Sequence, residues 1–350
     1  MKILTVIGAR PQFVKAAVIS REIASLSNVE EIIVHTGQHF DENMSRIFFQ
    51  QMDIPKPDYN LNINSLNHGA MTGKMIEGIE KIILKKKPDW VLVYGDTNST
   101  IAGALAGKKL QHKIAHIEAG LRSFNTDMPE EINRILTDRI SDMLFCPTST
   151  AIENLRHEGV RNPKLFLSGD VMLDAVLHYL PQAKAPEAEI PSEFILATIH
   201  RQENTDDVVR LLDIFRAMNE ISAALPVVMP LHPRTTKLID KKKYPYIVFI
   251  NPVGYFEMLY LLKHCHLAIT DSGGLQKEAF FMSKPCVTVR EQTEWVELID
   301  QGVNILAGAN YQNIRQYTEI MLNKKLDFSL NLYGNGKAGK KIIAELIKAV

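Results

Sequence analysis

Several features that would point to a macromolecular partner or to an oxidising compartment are absent from this chain of 350 residues. The 40 lysines and arginines balance 40 acidic residues, so no overall field attracts nucleic acid or an anionic membrane surface. The three cysteines lie far apart without CxxC spacing, which argues against a disulfide framework or a structural zinc site. No run approaches the roughly 18 apolar residues of a membrane span, and the N-terminal apolar run is too short for a signal peptide. The composition therefore predicts a cytoplasmic protein that binds any anion locally, with no nucleic-acid or membrane partner.

Short apolar runs rich in β-forming residues recur along the whole chain, and segments with helical periodicity separate them. The predicted strands cover residues 3–7, 32–35, 90–94, 114–117, 144–146, 165–167, 194–199, 227–229, 247–250, 267–270 and 286–289. Valine- and isoleucine-rich strands that alternate with amphipathic helices are typical of parallel sheets covered on both faces. The series runs twice, which predicts an α/β protein of two doubly wound, Rossmann-like domains facing a central cleft.

A segment rich in proline and alanine, residues 180–191, separates the two series and is typical of a surface connection. We predict an N-terminal domain over residues 1–170, a C-terminal domain over 171–335, and an amphipathic helix over 336–350. In such folds ligands bind at the carboxyl ends of the parallel strands. The residues that follow the strands are therefore the candidates for a functional site.

The turn after the strand at residues 267–270 has the composition of a phosphate-binding site. Ser272, Gly273 and Gly274 let backbone N–H groups approach an anion, and the helix that follows adds its positive dipole end. Glu278 lies about one helical turn further on, where it can accept ribose hydroxyl groups. A nucleoside diphosphate fits this arrangement. The alternative is an ordinary strand-to-helix turn in which the glycines provide tightness.

The first strand is followed by Gly8-Ala9-Arg10-Pro11, and Lys15 lies one helical turn later. Pro11 suits the first turn of a helix, so Arg10 and Lys15 flank a positive helix end and can hold a phosphate. The alternative is a pair of solvated surface cations. No GxGxxG motif follows this strand, so the fingerprint of NAD-binding enzymes is missing.

Three carboxylates follow strands or begin a helix in the first half of the chain. Asp96 and Glu118 come directly after the third and fourth strands, and Glu130 follows Pro129 at a predicted helix start. If they converge, their mutual repulsion raises at least one pKa and places a general acid beside general bases. Two alternatives stay open: Asp96 caps the next helix, and Glu130 forms an exposed ion pair with Arg134.

In the second half, histidine and arginine follow successive strands. His200-Arg201 comes first and His232-Pro233-Arg234 follows the next strand, which favours anion binding at both points. His264-Cys265-His266 resembles a metal motif, but its spacing does not fit a tetrahedral site on one helix face. We therefore predict a helix end there and no metal site.

Taken in order, these motifs resemble the non-hydrolysing UDP-N-acetylglucosamine 2-epimerases almost end to end. The resemblance is carried by Gly8-Ala9-Arg10-Pro11 with Lys15, Gly95-Asp96-Thr97, His116-Ile117-Glu118-Ala119-Gly120-Leu121-Arg122, Pro129-Glu130-Glu131 with Asn133-Arg134, His200-Arg201 with Glu203-Asn204, and Thr270-Asp271-Ser272-Gly273-Gly274 with Gln276 and Glu278. It implies a fold like that of GT-B glycosyltransferases, a C-terminal helix that crosses back to the N-terminal domain, and a homodimer. It also implies inversion of C2 in a UDP-2-acetamido sugar for surface polysaccharide or lipopolysaccharide synthesis, with neither NAD nor metal.

The resemblance also implies roles for individual residues. Catalytic roles fall on Asp96, Glu118, Glu130, His200, Lys15 and Arg134. Binding of UDP falls on Arg10, Lys15, His200, Met258, Ser272, Gly273, Gly274 and Glu278. The implied route is elimination of UDP to a 2-acetamidoglucal followed by re-addition, which needs acid/base groups on opposite faces of C2.

The chain departs from the common family pattern at two points. Trp295 replaces the arginine of a Thr-Glu-Arg-Pro motif, and Gln202 replaces the second arginine of a His-Arg-Arg-Glu-Asn motif. The sequence of residues 35–41 and 294–298 is more similar to that of the branch that epimerises UDP-2,3-diacetamido-2,3-dideoxyglucuronate. Residues 38–40 fall where several bacterial members bind a second UDP-GlcNAc. The substrate thus stays open between UDP-GlcNAc and the diacetamido uronate, and the alternatives are a GT-B glycosyltransferase or a UDP-sugar sensor without catalysis.

Overall fold

The computed structural model describes residues 1–38, 52, 54–161, 164–231 and 233–349. The chain divides into two compact units: unit 1 comprises Met1–Ala175 and Asn331–Val350, and unit 2 comprises Val176–Leu330. Within the described ranges, we find no helix with the length and apolar character that a membrane crossing requires.

Unit 1 contains a parallel sheet of seven strands in the order β3-β2-β1-β4-β5-β6-β7. The strands are β1 (Lys2–Ile7), β2 (Glu30–His35), β3 (Tyr59–Asn60), β4 (Trp90–Tyr94), β5 (Lys113–Ile117), β6 (Met143–Cys146) and β7 (Leu165–Leu167). The helices of this unit are α1 (Arg10–Ala24), α2 (His68–Lys86), α3 (Asn98–Lys109), α4 (Pro129–Ile140), α5 (Ser149–His157), α6 (Val171–Tyr179, which crosses into unit 2) and the last helix of the chain, α14 (Ala338–Lys348).

Unit 2 contains a second parallel sheet, of six strands in the order β10-β9-β8-β11-β12-β13. The strands are β8 (Ile195–Thr198), β9 (Val227–Pro230), β10 (Val248–Ile250), β11 (Leu267–Thr270), β12 (Cys286–Thr288) and β13 (Asn304–Leu306). The helices are α7 (Gln202–Thr205), α8 (Val208–Ala224), α9 (Pro233–Thr236), α10 (Tyr255–His264), α11 (Gly273–Phe281), α12 (Val296–Asp300) and α13 (Tyr311–Asn323), with 3-10 turns at Leu180–Gln182 and Lys241–Lys243.

Both sheets form for the reason that the sequence suggests. Every residue of β4 and every residue of β11 is buried, because helices cover both faces of each sheet. In unit 1 the strands pack against α2 and α3, and in unit 2 they pack against α8, α10 and α13. The predicted fold class, α/β with two parallel sheets, is thereby confirmed, and so is each predicted strand. Two short strands were not predicted, β3 and β13.

The last helix is anchored to unit 1 by a buried acid. The carboxylate of Asp174 accepts hydrogen bonds from the N–H groups of Ala338 (3.1 Å) and Gly339 (2.9 Å) at the start of α14. A side chain at Gly339 would lie 2.7 Å from Val18 of α1, so the glycine lets the two helices approach closely. The chain thus returns to its first unit after completing the second.

The strand order of each sheet fixes where a site can form. In unit 1, β1 and β4 are neighbours, and the chain continues from β1 to β2 on one side of this pair and from β4 to β5 on the other side. In unit 2, the neighbours β8 and β11 are followed in the same way by β9 and β12 on opposite sides. At such a switch point the two connections diverge and leave space at the carboxyl ends of the strands, where ligands bind in doubly wound folds. The turns after β1, β4, β8 and β11 carry several of the predicted site residues, and Glu118 follows β5, the strand next to β4.

Candidate active site

The turn after β1 is held by Gln12 of α1. Its side-chain oxygen accepts hydrogen bonds from the N–H groups of Gly8 (2.8 Å) and Ala9 (3.0 Å), and its amide nitrogen donates to the carbonyl of Tyr94 (2.9 Å). A side chain on Gly8 would collide with the hydroxyl groups of Thr36 and Ser99. The start of α1 is therefore fixed against the end of β4.

This anchoring brings Lys15 of α1 to Glu118, which follows β5. The ammonium group of Lys15 forms an ion pair with the Glu118 carboxylate, and both side chains are more than nine-tenths buried. Gly95 makes room for the pair, since a Cβ atom there would lie 3.1 Å from the Glu118 carboxylate and 3.2 Å from the Lys15 ammonium. Lys15, which is predicted to bind a phosphate and to take part in catalysis, thus lies against a carboxylate in the structure.

Glu118 has an unusual backbone conformation. Its φ angle is +70°, in the left-handed region that non-glycine residues seldom adopt. The N–H groups of Glu118 and Ala119 both donate to the carbonyl of Phe145 (3.1 Å each), and this stabilises the turn. Gly120 follows at φ +81°, where a side chain would collide with the Ala151 carbonyl. Strain of about 1–3 kcal/mol at a non-glycine residue persists only where its surroundings impose it, and such residues cluster at functional sites.

Asp96 lies in the turn after β4, and its side chain is about one-third exposed. The N-cap of α3 is Thr97, whose hydroxyl accepts the N–H of Thr100, so capping does not explain the acid at position 96. The Arg134 guanidinium lies 3.3 Å from the Asp96 carboxylate, and the Asn133 amide donates to the Asp96 carbonyl at 2.9 Å. Residues of α4 thus hold both the backbone and the side chain of Asp96.

Helix α4 has its polar face inward. Its buried residues are Glu131, Asn133, Arg134, Thr137 and Asp138. Ile132 and Leu136 are exposed instead. This reversal of the usual amphipathic pattern indicates that the helix supplies polar groups to a site.

The two acids at the start of α4 have different environments. Glu130 is exposed in the first turn. Glu131 is buried, accepts hydrogen bonds from the N–H groups of Ser123 and Phe124, and lies 3.1 Å from the Arg134 guanidinium. The side-chain bonds made by Glu131 organise the 123–124 loop, while Glu130 is presented to solvent.

In unit 2, the turn after β11 forms the start of α11. Ser272 is the N-cap, and its hydroxyl accepts the N–H of Leu275 (3.4 Å) while its own N–H donates to Thr270 (2.9 Å). A side chain at Gly273 would collide with the Glu294 carboxylate. At Gly274 the nearest protein atom would be the Ser272 hydroxyl at 3.9 Å, and the glycine has no positive φ. The protein itself therefore has no steric need for glycine at position 274, which is exposed in the first turn of α11.

His200 follows β8 and is held beside this turn by Asp271. The fully buried Asp271 carboxylate accepts the N–H groups of His200 (3.0 Å) and Arg201 (2.9 Å) and lies 3.3 Å from the imidazole Nδ1. The Asn204 amide donates to the same carboxylate at 3.2 Å. The His200 ring is fixed on one side and is still 40% exposed on the other, so it is accessible to a ligand.

The departure from the common family pattern at position 295 lies against α11. Trp295 is buried, and the Lys277 ammonium lies 3.9 Å from the centre of its ring. The neighbouring Glu294 carboxylate forms an ion pair with Arg290 at 3.0 Å and lies 4.0 Å from Arg201. Together with Gly273 these residues line the start of α11.

Two further predicted residues of unit 2 lie on the helices that flank this turn. Glu278 is buried in α11, and burial together with this carboxylate raises the pKa of the Tyr255 phenol well above its ordinary value. Met258 of α10 is partly buried and packs against an apolar cluster of unit 2. His264 ends α10 and is bonded to the Tyr260 carbonyl, as expected for a helix end.

The structure thus groups the predicted residues by unit. Unit 1 brings together Lys15, Asp96, Glu118 and Arg134, and unit 2 brings together His200, Ser272, Gly273, Gly274 and Glu278. The side chains of Arg10 and Arg234 and all of His39, Phe40 and His232 lie outside the described part of the chain. Sequence reasoning overlooked Asp138, Gln12 and Asn133 as supporting groups. The signal for Asp138 was available, because it shares one helical face with Glu131 and Arg134 at i, i+3 and i+7.

The chain is similar to known proteins over nearly its whole length. A family model described as UDP-N-acetylglucosamine 2-epimerase matches residues 21–347. A Pseudomonas aeruginosa protein named UDP-2,3-diacetamido-2,3-dideoxy-D-glucuronate 2-epimerase is 56% identical over 99% of this chain and 100% of its own length. A UDP-N-acetylglucosamine 2-epimerase of Methanocaldococcus jannaschii is 45% identical over 98% of both chains.

Solved structures show the same similarity. The Methanocaldococcus jannaschii UDP-GlcNAc 2-epimerase in complex with UDP-GlcNAc and UDP has a TM-score of 0.92 and 43% identity, over 99% of this chain and 100% of that one. The Neisseria meningitidis UDP-GlcNAc 2-epimerase bound to UDP-GlcNAc has a TM-score of 0.90 and 30% identity, over 99% of this chain and 100% of that one. Fold, motif order and sequence agree over the full length, and the chain belongs to the UDP-N-acetylglucosamine 2-epimerase family, whose members are isomerases of nucleotide sugars.

Proposed function

We propose that this protein inverts C2 of UDP-2,3-diacetamido-2,3-dideoxyglucuronate, for the synthesis of a surface polysaccharide precursor. The observation that carries the proposal is the 56% identity, over 99% of this chain and 100% of the relative, to a protein of that name, compared with 50% and 45% for relatives named after UDP-N-acetylglucosamine. The sequence of residues 294–298, with Trp295 in place of the family arginine, also supports a place in the branch that acts on the diacetamido uronate. UDP-GlcNAc is the second substrate to test, because solved relatives bind it.

The chemistry explains why carboxylates and an anion site occur in one chain. The C2–H bond of the sugar is not acidic by itself, because no carbonyl group is adjacent to it. A base removes the C2 proton while the C1–O bond breaks, the electron pair leaves with UDP, and a C1–C2 double bond forms. Return of a UDP oxygen to C1 and of a proton to the opposite face of C2 gives the epimer. The route therefore needs two acid/base groups and an environment that stabilises departing UDP.

Each unit supplies one part of these requirements. Unit 1 contributes the candidate acid/base groups Asp96, Glu118 and Glu130. Arg134 is the cationic partner of Asp96, and Lys15 is that of Glu118. For Lys15 we propose an exchange of partner, from the Glu118 carboxylate to the diphosphate, when the nucleotide binds.

Unit 2 contributes the anion-binding groups. These are His200, the start of α11 at Ser272 and Gly274, and Glu278 for the ribose. Gly274 carries the most weight in this assignment, because the protein alone gives no reason for a glycine in the first turn of α11.

The proposal is tested by incubation with each of the two UDP-sugars in deuterated water. We expect deuterium at C2 of both epimers with the diacetamido uronate. We also expect ¹⁸O placed in the bridge between sugar and β-phosphate to scramble into non-bridging positions, because elimination frees that oxygen. Glu118→Gln should abolish both signals, whereas Glu153→Gln, which changes an exposed acid of α5, should abolish neither.

The outcomes separate the alternatives. Deuterium exchange with UDP-GlcNAc alone would show that the proposed substrate is wrong. Exchange with neither sugar would show that the proposed epimerase activity is wrong. Sugar transfer to an acceptor without exchange at C2 indicates a glycosyltransferase built on the same fold. By analogy with the family we also propose a cytoplasmic homodimer, which sedimentation of the purified protein tests.

A further inference from the structure

We infer that Asp138, acting through His116, is a positioning residue that holds the Asp96 turn and the Glu118 turn in their working geometry. The inference rests on the proposed function for the reaction that it serves. Asp138 belongs to the inward polar face of α4 and is fully buried. Two hydrogen-bonding routes lead from its carboxylate, one to each turn.

The first route runs through His116 to Asp96. Oδ1 of Asp138 lies 2.7 Å from Nδ1 of His116, and Nε2 of the same ring lies 2.8 Å from the Gly95 carbonyl. Gly95 is the residue directly before Asp96, and its φ angle of +61° directs the chain into the turn. The imidazole therefore connects the carboxylate of α4 to the peptide group that leads into Asp96.

The second route runs directly to the turn that carries Glu118. Oδ2 of Asp138 accepts the N–H of Gly120 (3.1 Å) and the guanidinium of Arg122 (2.8 Å). Arg122 is held in turn by two bonds to Glu158, of 2.6 and 2.7 Å. Since Glu118 adopts a strained φ, this anchoring two residues further on helps to impose that conformation.

The partners define the protonation of the network. The Gly95 carbonyl can only accept a hydrogen bond, so Nε2 of His116 carries a hydrogen. Burial alone would raise the pKa of Asp138, but His116 and Arg122 outweigh that effect and hold it below its ordinary value. Asp138 is therefore a carboxylate that can only accept, and Nδ1 of His116 carries a hydrogen as well. His116 and Arg122 thus face two carboxylates, the buried Asp138 and the exposed Glu158.

Several other charged or titratable groups lie around His116. They are Asp138 on α4, Arg122 in the turn after β5, Glu158 at the end of α5 and Cys146 on β6, with the Lys15–Glu118 ion pair beyond Gly95. Burial raises the pKa of Cys146 well above its ordinary value, so this thiol is neutral near pH 7.

Replacement by asparagine separates the hydrogen-bonding role from the charge. In Asp138→Asn the amide oxygen can still accept from Gly120 and Arg122. The amide nitrogen can donate to Nδ1 of a neutral His116, which still donates from Nε2 to Gly95. Protonation of the ring at Nδ1 then places its N–H against the N–H of the amide that Asp138→Asn introduces. The hydrogen bond between the two side chains is lost, and with it the connection from α4 to Asp96. The variant should therefore work when the His116 ring is neutral and fail when the ring is protonated.

Asp142 provides the matched control. It lies four residues after Asp138 and holds the opposite end of β5, because its carboxylate accepts the N–H of Ile114 (2.9 Å) and pairs with Lys108 (2.6 Å). Asp142→Asn therefore perturbs the same helix-to-strand packing away from the two turns. If Asp138 served stability alone, the variants at both positions would show the same kinetic effect.

The experiment measures kcat and KM for epimerisation of the UDP-sugar between pH 5.5 and 8.5. For Asp138→Ala we expect kcat to fall about tenfold or more at every pH with KM changed less than about twofold, because the catalytic groups are displaced while the nucleotide seat is intact. Asp138→Asn should recover most of this loss at pH 8.5 and lose activity relative to the wild type as the pH falls. Asp142→Asn should keep the wild-type kcat.

A second readout does not depend on the reaction. Amide hydrogen exchange in peptides covering residues 95–96 and 118–122 should accelerate in Asp138→Ala and not in Asp142→Asn. Normal kcat in Asp138→Ala, equal loss in Asp138→Asn at every pH, or equal loss in Asp142→Asn would overturn the inference, and so would unchanged exchange in both turns. Should the wild type fail to epimerise either sugar while the exchange pattern holds, the proposed function fails and the positioning network stands.

Discussion

The φ angle of +70° at Glu118 leads to a prediction in which glycine is more stable than alanine. Glu118→Gly and Glu118→Ala both remove the carboxylate and leave Lys15 equally without this partner, so the loss of the ion pair cancels between them. The two variants differ in one respect, the cost of holding a Cβ atom in the left-handed region. Neither should exchange deuterium at C2.

The magnitude follows from two opposing terms. The left-handed conformation costs a non-glycine residue about 1–2 kcal/mol of free energy, and it does not cost glycine this amount. Glycine loses more conformational freedom on folding, which costs about 0.5–1 kcal/mol relative to alanine. Glu118→Gly should therefore be more stable than Glu118→Ala by about 0.5–1 kcal/mol. At Glu153, an exposed residue inside α5, the order should reverse. There Glu153→Ala should be more stable to unfolding than Glu153→Gly by about 1 kcal/mol.

The chain allows this difference to be measured in unit 1 alone. It contains two tryptophans, Trp90 in β4 and Trp295 in unit 2. In a Trp295→Phe background, the fluorescence of the buried Trp90 reports the unfolding of unit 1 in urea, so a separate transition of unit 2 does not distort the curve. If alanine is as stable as glycine or more stable at position 118, Glu118 is not strained, and the reasoning from its backbone angle is wrong.

Three further predictions follow from buried charges and from one glycine. Lys15→Met should cost about 3–5 kcal/mol of unfolding free energy because it leaves Glu118 charged and buried, and the double variant with Glu118→Gln should recover most of that loss in a urea melt. Gly274→Ala should stabilise unit 2 by roughly 0.5–1 kcal/mol and still weaken UDP binding in calorimetry; unchanged affinity would show that no ligand approaches this glycine. Burial raises the pKa of Glu31 above 4.5, so its ionisation opposes folding, and stability is lost as the pH rises through the raised value. Glu31→Gln should therefore gain stability over the wild type between pH 4 and pH 7, and a gain that shrinks over this range would contradict the assignment.

The strands and the anion turn could be predicted because their information is local. Residues 90–94 form an unbroken apolar run, and residues 270–274 pass from an apolar strand into small residues within one turn. Such patterns need no knowledge of distant contacts. The short strands β3 and β13 could not be predicted in the same way, because two and three residues carry no periodicity.

The chemistry of the carboxylates could be predicted only in part because it depends on long-range contacts. Lys15 and Glu118 are 103 residues apart, and no local rule pairs them. The positive φ of Glu118 is also imposed from outside, by the Phe145 carbonyl and by the turn at Gly120. Helix α4 would mislead a reading from periodicity, which places Ile132 inside, whereas the structure exposes Ile132 and buries the polar face.

Both sheets use the same physical device at their switch points. At the carboxyl end of a parallel strand the backbone N–H groups of the turn leave the ladder and need other acceptors. In unit 2 Asp271 accepts from the turn that carries His200, and in unit 1 Asp138 accepts from the turn that carries Glu118. A buried carboxylate is costly to desolvate, and a neutral acceptor could satisfy the same N–H groups more cheaply. The charge is therefore explained by its other partner in each unit, a histidine ring whose orientation it fixes. We therefore expect both Asp138 and Asp271 to influence activity, although neither is required to touch the sugar.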